Sequence, residues 1–120
     1  MAQALVITPV KDSLAYTLRT IDAVMQSDTG IIYRIYNDFS SAETKSALEA
    51  KSGECAFELV HLEDITDTPS PNYRLVLQHA QESALELGLP LIIVESDVEV
   101  KPDTFSGMLR FYRLHERLGL

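Results

Sequence analysis

The sequence predicts an α/β domain in which a mostly parallel central sheet of about four strands lies between helices, as a three-layer sandwich. Two observations predict it. Short apolar, β-branched runs alternate with segments of helical periodicity in the order βαβαβαβα, which favours a parallel sheet covered on both faces. Acidic residues follow two of the strands, and open α/β sheets bind ligands at that edge.

Composition limits the class of protein. The 120 residues suit a single domain, 1–120, that is large enough for a real core. A net charge of -8 argues against a binder of nucleic acid or of anionic membranes, because both need clustered Lys and Arg. The sequence has no apolar run of membrane-spanning length and no signal-peptide pattern, and Cys55 is its only cysteine. We therefore expect a cytoplasmic protein without an intrachain disulfide.

The first predicted strand covers Ala4–Val10. We expect it to stop at Pro9, because proline cannot donate a hydrogen bond to a ladder. The first helix follows a cap at Asp12 or Ser13 and carries its apolar residues on one face.

The second predicted strand is Ile31–Tyr36. A short helix from about Ala42 to Ala50 follows it, with a cap at Ser40 or Ser41 and with Gly53 just beyond its end.

The third predicted strand is Ala56–Leu62, and the polar segment Glu63–Pro71 is a predicted loop because it holds two prolines. The clearest helix of the chain starts at Ser70 or Asn72, and Gly88 supplies the left-handed residue that ends it.

The fourth predicted strand begins with the apolar run Leu91–Val94. A continuous run of this kind is typical of a strand that is buried on both faces at the centre of a parallel sheet. The connection Val98–Pro102 leads to a last helix. The predicted core residues of that helix are Phe105, Met108, Leu109 and Tyr112.

Glu95 and Asp97 directly follow the fourth strand and are expected to leave it on the same side. Mg²⁺ typically uses one or two carboxylates together with substrate phosphates, so this pair predicts a cation site; the alternative is a solvated acidic turn. The glycine-rich turns of dinucleotide-binding and P-loop proteins are absent from the sequence. If phosphates bind, a cation must replace those turns, and Asp97 is the best candidate to hold it.

Several motifs together resemble the N-terminal half of family 2 glycosyltransferases, inverting enzymes of the GT-A fold that use nucleotide sugars. An Asn begins the family's third helix and a Gly ends it, as Asn72 and Gly88 do here. The other matching segments are Ile7-Thr8-Pro9-Val10, Asn37-Asp38-Phe39-Ser40, Glu95-Ser96-Asp97 and Val98-Glu99-Val100-Lys101-Pro102-Asp103. The resemblance implies a Rossmann-like half of a GT-A enzyme that binds a nucleotide-diphosphate sugar.

Three residues depart from the family pattern. Asn37 replaces the first Asp of the second-strand pair, Glu95 replaces the first Asp of Asp-x-Asp, and Arg74 stands where the family commonly has Gly. The family also continues for about another half-domain, which carries the acceptor site and the catalytic base. The resemblance therefore implies a truncated protein that is inactive alone, with its base in the missing half.

The resemblance also implies roles for seven residues. It places Thr8, Pro9, Asp38, Arg74, Glu95 and Ser96 at the nucleotide sugar, and Asp97 at a Mg²⁺ or Mn²⁺ ion. The implied partners are a nucleotide sugar and an acceptor hydroxyl compound.

Two other functions remain open from the residues alone: a receiver-like signalling domain, and a non-catalytic binding or interaction module. A homodimer is a further expectation. Four strands leave a sheet edge uncovered, and the last helix carries a second apolar set, Phe111, Leu114 and Leu118.

Overall fold

The computed structural model of the chain describes residues 1–117, so Leu118 of the second apolar set lies outside the described residues. It confirms the α/β prediction, with one all-parallel sheet in the strand order β3-β2-β1-β4. The strands are β1 (Leu5–Val10), β2 (Ile32–Asn37), β3 (Glu58–His61) and β4 (Leu91–Ile93). The helices are α1 (Leu14–Met25), α2 (Ala42–Glu54), α3 (Tyr73–Leu87) and α4 (Thr104–Arg117), with a 3₁₀ turn at Leu62–Asp64.

The strand order identifies the type of parallel sheet. It matches the 3-2-1-4 order of a Rossmann-type sheet and differs from the 2-1-3-4-5 order of receiver domains, so the receiver-like alternative is wrong. From β1, strands β2 and β3 follow on one side of the sheet, whereas β4 lies on the other side, so the strand order reverses between β1 and β4. The crevice at that reversal, beyond the carboxyl ends of the strands, is where such sheets bind ligands.

Apolar side chains on both faces of the sheet hold the layers together. One face packs against α1, α2 and α4 through Ile21, Leu48 and Phe105, each fully buried. The other face packs against α3, whose buried residues Val76 and Ala80 lie in the same cluster as side chains from β1 and β2. Burial of one large apolar side chain stabilises a fold by about 1.5–3 kcal/mol.

The sequence predicted that strand β1 stops at Pro9, but the strand continues to Val10. Val94 donates its backbone N–H to the carbonyl of Ile7 (2.9 Å). The backbone groups of Ile7, and of every second residue from it, therefore point toward β4. Pro9 is the next residue on that side and has no N–H, so the ladder with β4 ends there. On the other side Val10 still accepts a hydrogen bond from the backbone of Asp38 (2.8 Å), and β1 continues beside β2.

Strand β4 lies at the edge of the sheet, which corrects the central position expected from its apolar run. It pairs only with β1, and its ladder covers Leu91–Ile93. Ile92 and Val94 are buried, whereas the side chain of Ile93 is 39% exposed. One face of this strand is therefore only partly covered.

Helix α4 also departs from its predicted packing. Phe105 and Leu109 are buried, but Met108 and Tyr112, predicted for the core, are about half exposed. The helix contacts the sheet by a stripe one residue wide. None of the described helices is long and apolar enough to cross a membrane.

Several predicted helix ends shift. Ser41 caps α2 by accepting from the backbone of Thr44 (3.3 Å), but α2 runs through Gly53 to Glu54. The residue before α1 is Ser13, which has positive φ and makes no side-chain cap. Gly88 ends α3 in the left-handed conformation (φ 66°), as predicted.

Candidate functional site

A pocket of about 300 Å³ lies at the carboxyl ends of the central strands, beside the reversal between β1 and β4. Its walls come from Pro9 and Lys11 at the end of β1, Asp38 after β2, Tyr73 at the start of α3, and Ser96 after β4. Four larger grooves contain none of these residues: three of about 660, 640 and 490 Å³ lie along α4, and one of about 340 Å³ lies between α1 and the 99–102 connection. The smaller pocket is therefore the candidate ligand site.

Asp38 is buried and acts as an acceptor for three groups on the segment before α3. Its Oδ2 accepts from Ser70 Oγ (2.9 Å) and from the backbone N–H of Asn72 (2.8 Å), and its Oδ1 accepts from Asn72 Nδ2 (2.9 Å). The amide of Asn72 also donates to the carbonyl of Thr68 (2.8 Å). Asp38 thus fixes one wall of the pocket.

Asn37, which stands where the resemblance expects an Asp, takes part in a separate, partly buried contact. Its Nδ2 lies 3.0 Å from His61 Nδ1, and His61 Nε2 lies 3.1 Å from Glu49 Oε1. An amide can donate to an unprotonated ring nitrogen while the other ring nitrogen donates to the carboxylate. An Asp at this position would place a second acceptor against Nδ1, so the substitution suits this pair.

Thr8 and Pro9 meet different surroundings. The side chain of Thr8 is fully buried and shares a 2.7 Å hydrogen bond with the phenol of Tyr33, inside the core. Burial raises the pKa of the Tyr33 phenol, which stays protonated. Thr8 therefore does not line the pocket, whereas Pro9 contributes directly to the pocket wall.

The acidic segment after β4 forms a turn and does not continue the strand. The strand ends at Ile93, and the N–H of Val98 closes the turn on the carbonyl of Glu95 (3.2 Å). The carbonyl of Ser96 accepts from Thr20 Oγ1 (2.9 Å), which fixes the middle of the turn to α1. The strand-alternation argument for Glu95 and Asp97 therefore does not apply, although both carboxylates are exposed at the predicted edge.

Glu95 has a partner that the sequence did not indicate. Its Oε1 accepts from the phenol of Tyr73 at 3.2 Å. Burial, and then the charge of Glu95, raise the pKa of Tyr73, so the phenol keeps its proton and donates. Tyr73 is 44% exposed and lines the pocket. The sequence signal for a site role of Tyr73 was its position directly after Asn72, in the first turn of a helix that starts at the sheet edge.

Lys11 and Asp12, which lie between β1 and α1, stabilise the same edge of the sheet. Asp12 Oδ1 accepts from the N–H of Ser41 (2.8 Å) and from Thr44 Oγ1 (3.1 Å), and the backbone hydrogen bond from Ser41 holds the pKa of Asp12 below its usual value. The ammonium of Lys11 donates to the carbonyl of Phe39. Both side chains tie the end of β1 to the segment after β2.

Arg74 is exposed on the first turn of α3.

A divalent cation at this edge would find few protein ligands. Among residues 1–117 no three His, Cys, Asp or Glu side chains form a cluster that could hold a metal ion. Mg²⁺ and Mn²⁺ at nucleotide sites need fewer protein ligands, because phosphate oxygens and water complete the shell. Exposed Asp97 on the turn that contributes Ser96 to the pocket fits this second arrangement.

Solved structures share this architecture. The 1–349 fragment of S. aureus TarS in complex with UDP-GlcNAc is 19% identical and matches 95% of this chain and 32% of its own, with a TM-score of 0.69. The chain has the fold of a GT-A glycosyltransferase. The mannosyltransferase PcManGT from Pyrobaculum calidifontis, in complex with GDP-Man and Mn2+, is 20% identical and matches 86% of this chain and 30% of its own, with a TM-score of 0.61.

The GT-A fold confirms what the sequence resemblance implied about architecture. The chain spans about a third of the length of the TarS fragment and of PcManGT. No protein-family model matches the sequence, and no curated protein matches it either.

Proposed function

We propose that the chain is the nucleotide-sugar-binding part of a family 2 glycosyltransferase, an enzyme that transfers a hexose to an acceptor hydroxyl with inversion. The observation that supports it most is the pocket between the ends of β1, β2 and β4, because it lies at the strand reversal where such sheets bind ligands. Complexes of proteins with the same fold contain UDP-GlcNAc, and GDP-Man with Mn2+.

The nucleoside would lie against Pro9 and Tyr73, the apolar and aromatic walls of the pocket. Asp38 would act on it by fixing the Ser70–Asn72 segment, and Thr8, which is fully buried, would act only by holding the end of β1 against the core. Arg74, exposed on the first turn of α3, would meet a phosphate, for which a guanidinium is a good partner.

Asp97 would hold Mg²⁺ or Mn²⁺ against the diphosphate, with Ser96 on the same turn facing the pocket. The metal supplies positive charge that stabilises the departing diphosphate. Glu95, held by the Tyr73 phenol, would face the ribose or support the metal's surroundings from outside its ligand shell. The catalytic base is assigned to no residue of this chain.

The Asp97 assignment predicts the effect of one substitution. Asp97→Asn should abolish the Mn²⁺-dependent part of UDP binding and leave the fold intact, because the side chain is exposed on a surface turn. Titration calorimetry with UDP, with and without Mn²⁺, measures it. Asp64→Asn, the same change at an exposed residue of the 3₁₀ turn after β3, is the matched control. Unchanged metal dependence in Asp97→Asn would refute the assignment.

A second prediction concerns turnover. The 120-residue chain should bind nucleotide weakly and release no sugar, because the proposed acceptor site and base lie outside it. Incubation with UDP- and GDP-sugars, followed by chromatography for free and transferred sugar, measures this. Turnover above a buffer control would show that the base lies within the chain, and Glu99 and Asp103 would be the first residues to test.

A non-catalytic binding module remains the alternative function, and nucleotide binding that is independent of metal and of Asp97 would favour it. We also propose that the chain forms a homodimer through the uncovered edge of β4, where Ile93 is exposed. A cytoplasmic location stays a prediction from the sequence.

A further inference from the structure

Helix α4 carries an apolar surface that faces away from the core. Phe105 and Leu109 occupy the buried side of the helix. Met108, Phe111 and Leu114 follow one another at intervals of three residues and are 47%, 63% and 45% exposed. Residues three apart lie side by side on a helix, so these three form a continuous ridge, here named the apolar ridge. A surface helix of a globular protein normally has polar residues at such positions.

A second surface of α4 is basic. Arg110, Arg113 and Arg117 are spaced by three and four residues and are all exposed, and they line one groove of about 640 Å³ together with Asp28 and Leu114. They are three of the ten Lys and Arg residues of the chain. We name this set the arginine ridge. The net charge of -8 therefore conceals a local cluster of positive charge, which the sequence argument against anionic surfaces had not considered.

Both ridges lie at the opposite end of the sheet from the candidate site. Arg113 donates to Gln3 Oε1 (2.9 Å), and Gln3 precedes the first residue of β1. The candidate pocket lies beyond the last residues of β1. A surface bound along the second half of α4 would leave that pocket open.

We propose that α4 docks the chain on an anionic lipid surface. The apolar ridge would enter the boundary between headgroups and acyl chains, and the arginine ridge beside it would contact lipid phosphates. Helices that lie in a membrane interface combine exposed aromatic or aliphatic residues with flanking Lys and Arg in this way. Each basic residue near an anionic membrane strengthens binding by a factor of about five.

The charge of the helix favours lipid over a second copy of the chain as the occupant. In a two-fold contact along α4 each arginine ridge would lie near its own symmetry mate, and like charges across an interface oppose association. An anionic membrane offers the opposite charge along the whole ridge.

Co-flotation of the 120-residue chain with vesicles tests the proposal. Vesicles of phosphatidylcholine with a third of phosphatidylglycerol should carry the chain to the top of the gradient, whereas vesicles of pure phosphatidylcholine should not. Arg110→Gln combined with Arg117→Gln should reduce the bound fraction about tenfold or more. Phe111→Ser with Leu114→Ser should reduce it as well and should abolish the binding that resists high salt.

Matched controls separate this surface from others. Arg19→Gln removes an exposed arginine from α1, and Ile65→Ser removes a comparably exposed aliphatic side chain from the loop after β3; both should float as the parent does. Circular dichroism and UDP binding should be unchanged in the α4 variants, because their side chains lie outside the core and the candidate pocket.

Three results would overturn the proposal. They are the absence of flotation with anionic vesicles, flotation that all four α4 substitutions leave unchanged, and a concentration-dependent dimer without lipid that the same substitutions abolish. The last result would assign the ridges to a second copy of the chain.

Discussion

The sequence predicted that Asp38 lies at the ligand edge, but it did not predict what Asp38 contacts there. A strand-end acid within a recognisable motif placed it at the ligand edge, and the structure puts it there. Its partners, Ser70 and Asn72, are more than thirty residues away, so no local pattern indicates them. The same holds for Tyr73 and Glu95, whose hydrogen bond depends on how α3 meets the turn after β4.

The contacts of Asp38 predict a cost in stability as well as in binding. Asp38→Asn replaces an acceptor oxygen with a donor that faces other donors, so it should destabilise the fold by about 1–3 kcal/mol. Urea denaturation measures this, with exposed Asp67→Asn as the control. Asp38→Ala should also weaken uridine and UDP binding by similar factors. A loss confined to the Mn²⁺-dependent part of binding would contradict a role at the nucleoside.

At the scale of elements, the periodicity predicted the described α-helices and strands in order, but not the 3₁₀ turn at Leu62–Asp64. Errors occurred where an expectation from local sequence conflicted with packing against a distant part of the chain. Pro9 ended only one of its two ladders, because it faces β4 and not β2. Gly53 was expected beyond α2 and lies inside it. An apolar run such as Leu91–Val94 shows that a strand is apolar, but the number of its neighbours depends on the whole sheet.

Replacement of glycine by alanine should have opposite effects on stability at Gly107 and at Gly88. Gly107 lies inside α4, where an added Cβ would meet no atom within 4 Å, so Gly107→Ala should stabilise the fold by about 0.5–1 kcal/mol. Gly88 has a φ of 66°, and Gly88→Ala should destabilise the fold by about 1 kcal/mol although space is free. Thermal denaturation of both variants measures the signs. Equal shifts in the same direction would contradict the argument from backbone conformation.

At the scale of the molecule, the alternation of elements and the order of motifs led to the GT-A fold, and structural comparison confirms it. The sequence predicted an uncovered sheet edge and a second apolar set on the last helix, and Phe111 and Leu114 of that set are exposed. It could not predict that β4 forms an edge or which other side chains of α4 stay outside the core, because both depend on the order of the strands and on the direction of α4 across the sheet. The sequence assigned Met108 to the core, whereas the structure places it on an exposed ridge.

The uncovered edge of β4 predicts self-association of the chain. The strand is paired on one side only, and Ile93, with 39% exposure, is the residue whose side chain is least covered there. Open strand edges pair with other chains, and a lysine at such an edge opposes pairing. Sedimentation velocity across the micromolar range should therefore show a dimer that Ile93→Lys weakens. Phe111→Ser, on α4, is the control and should leave this dimer unchanged. A single monomeric species at every concentration would refute the prediction, and a dimer lost only in the α4 variant would move the contact from the sheet edge to the helix.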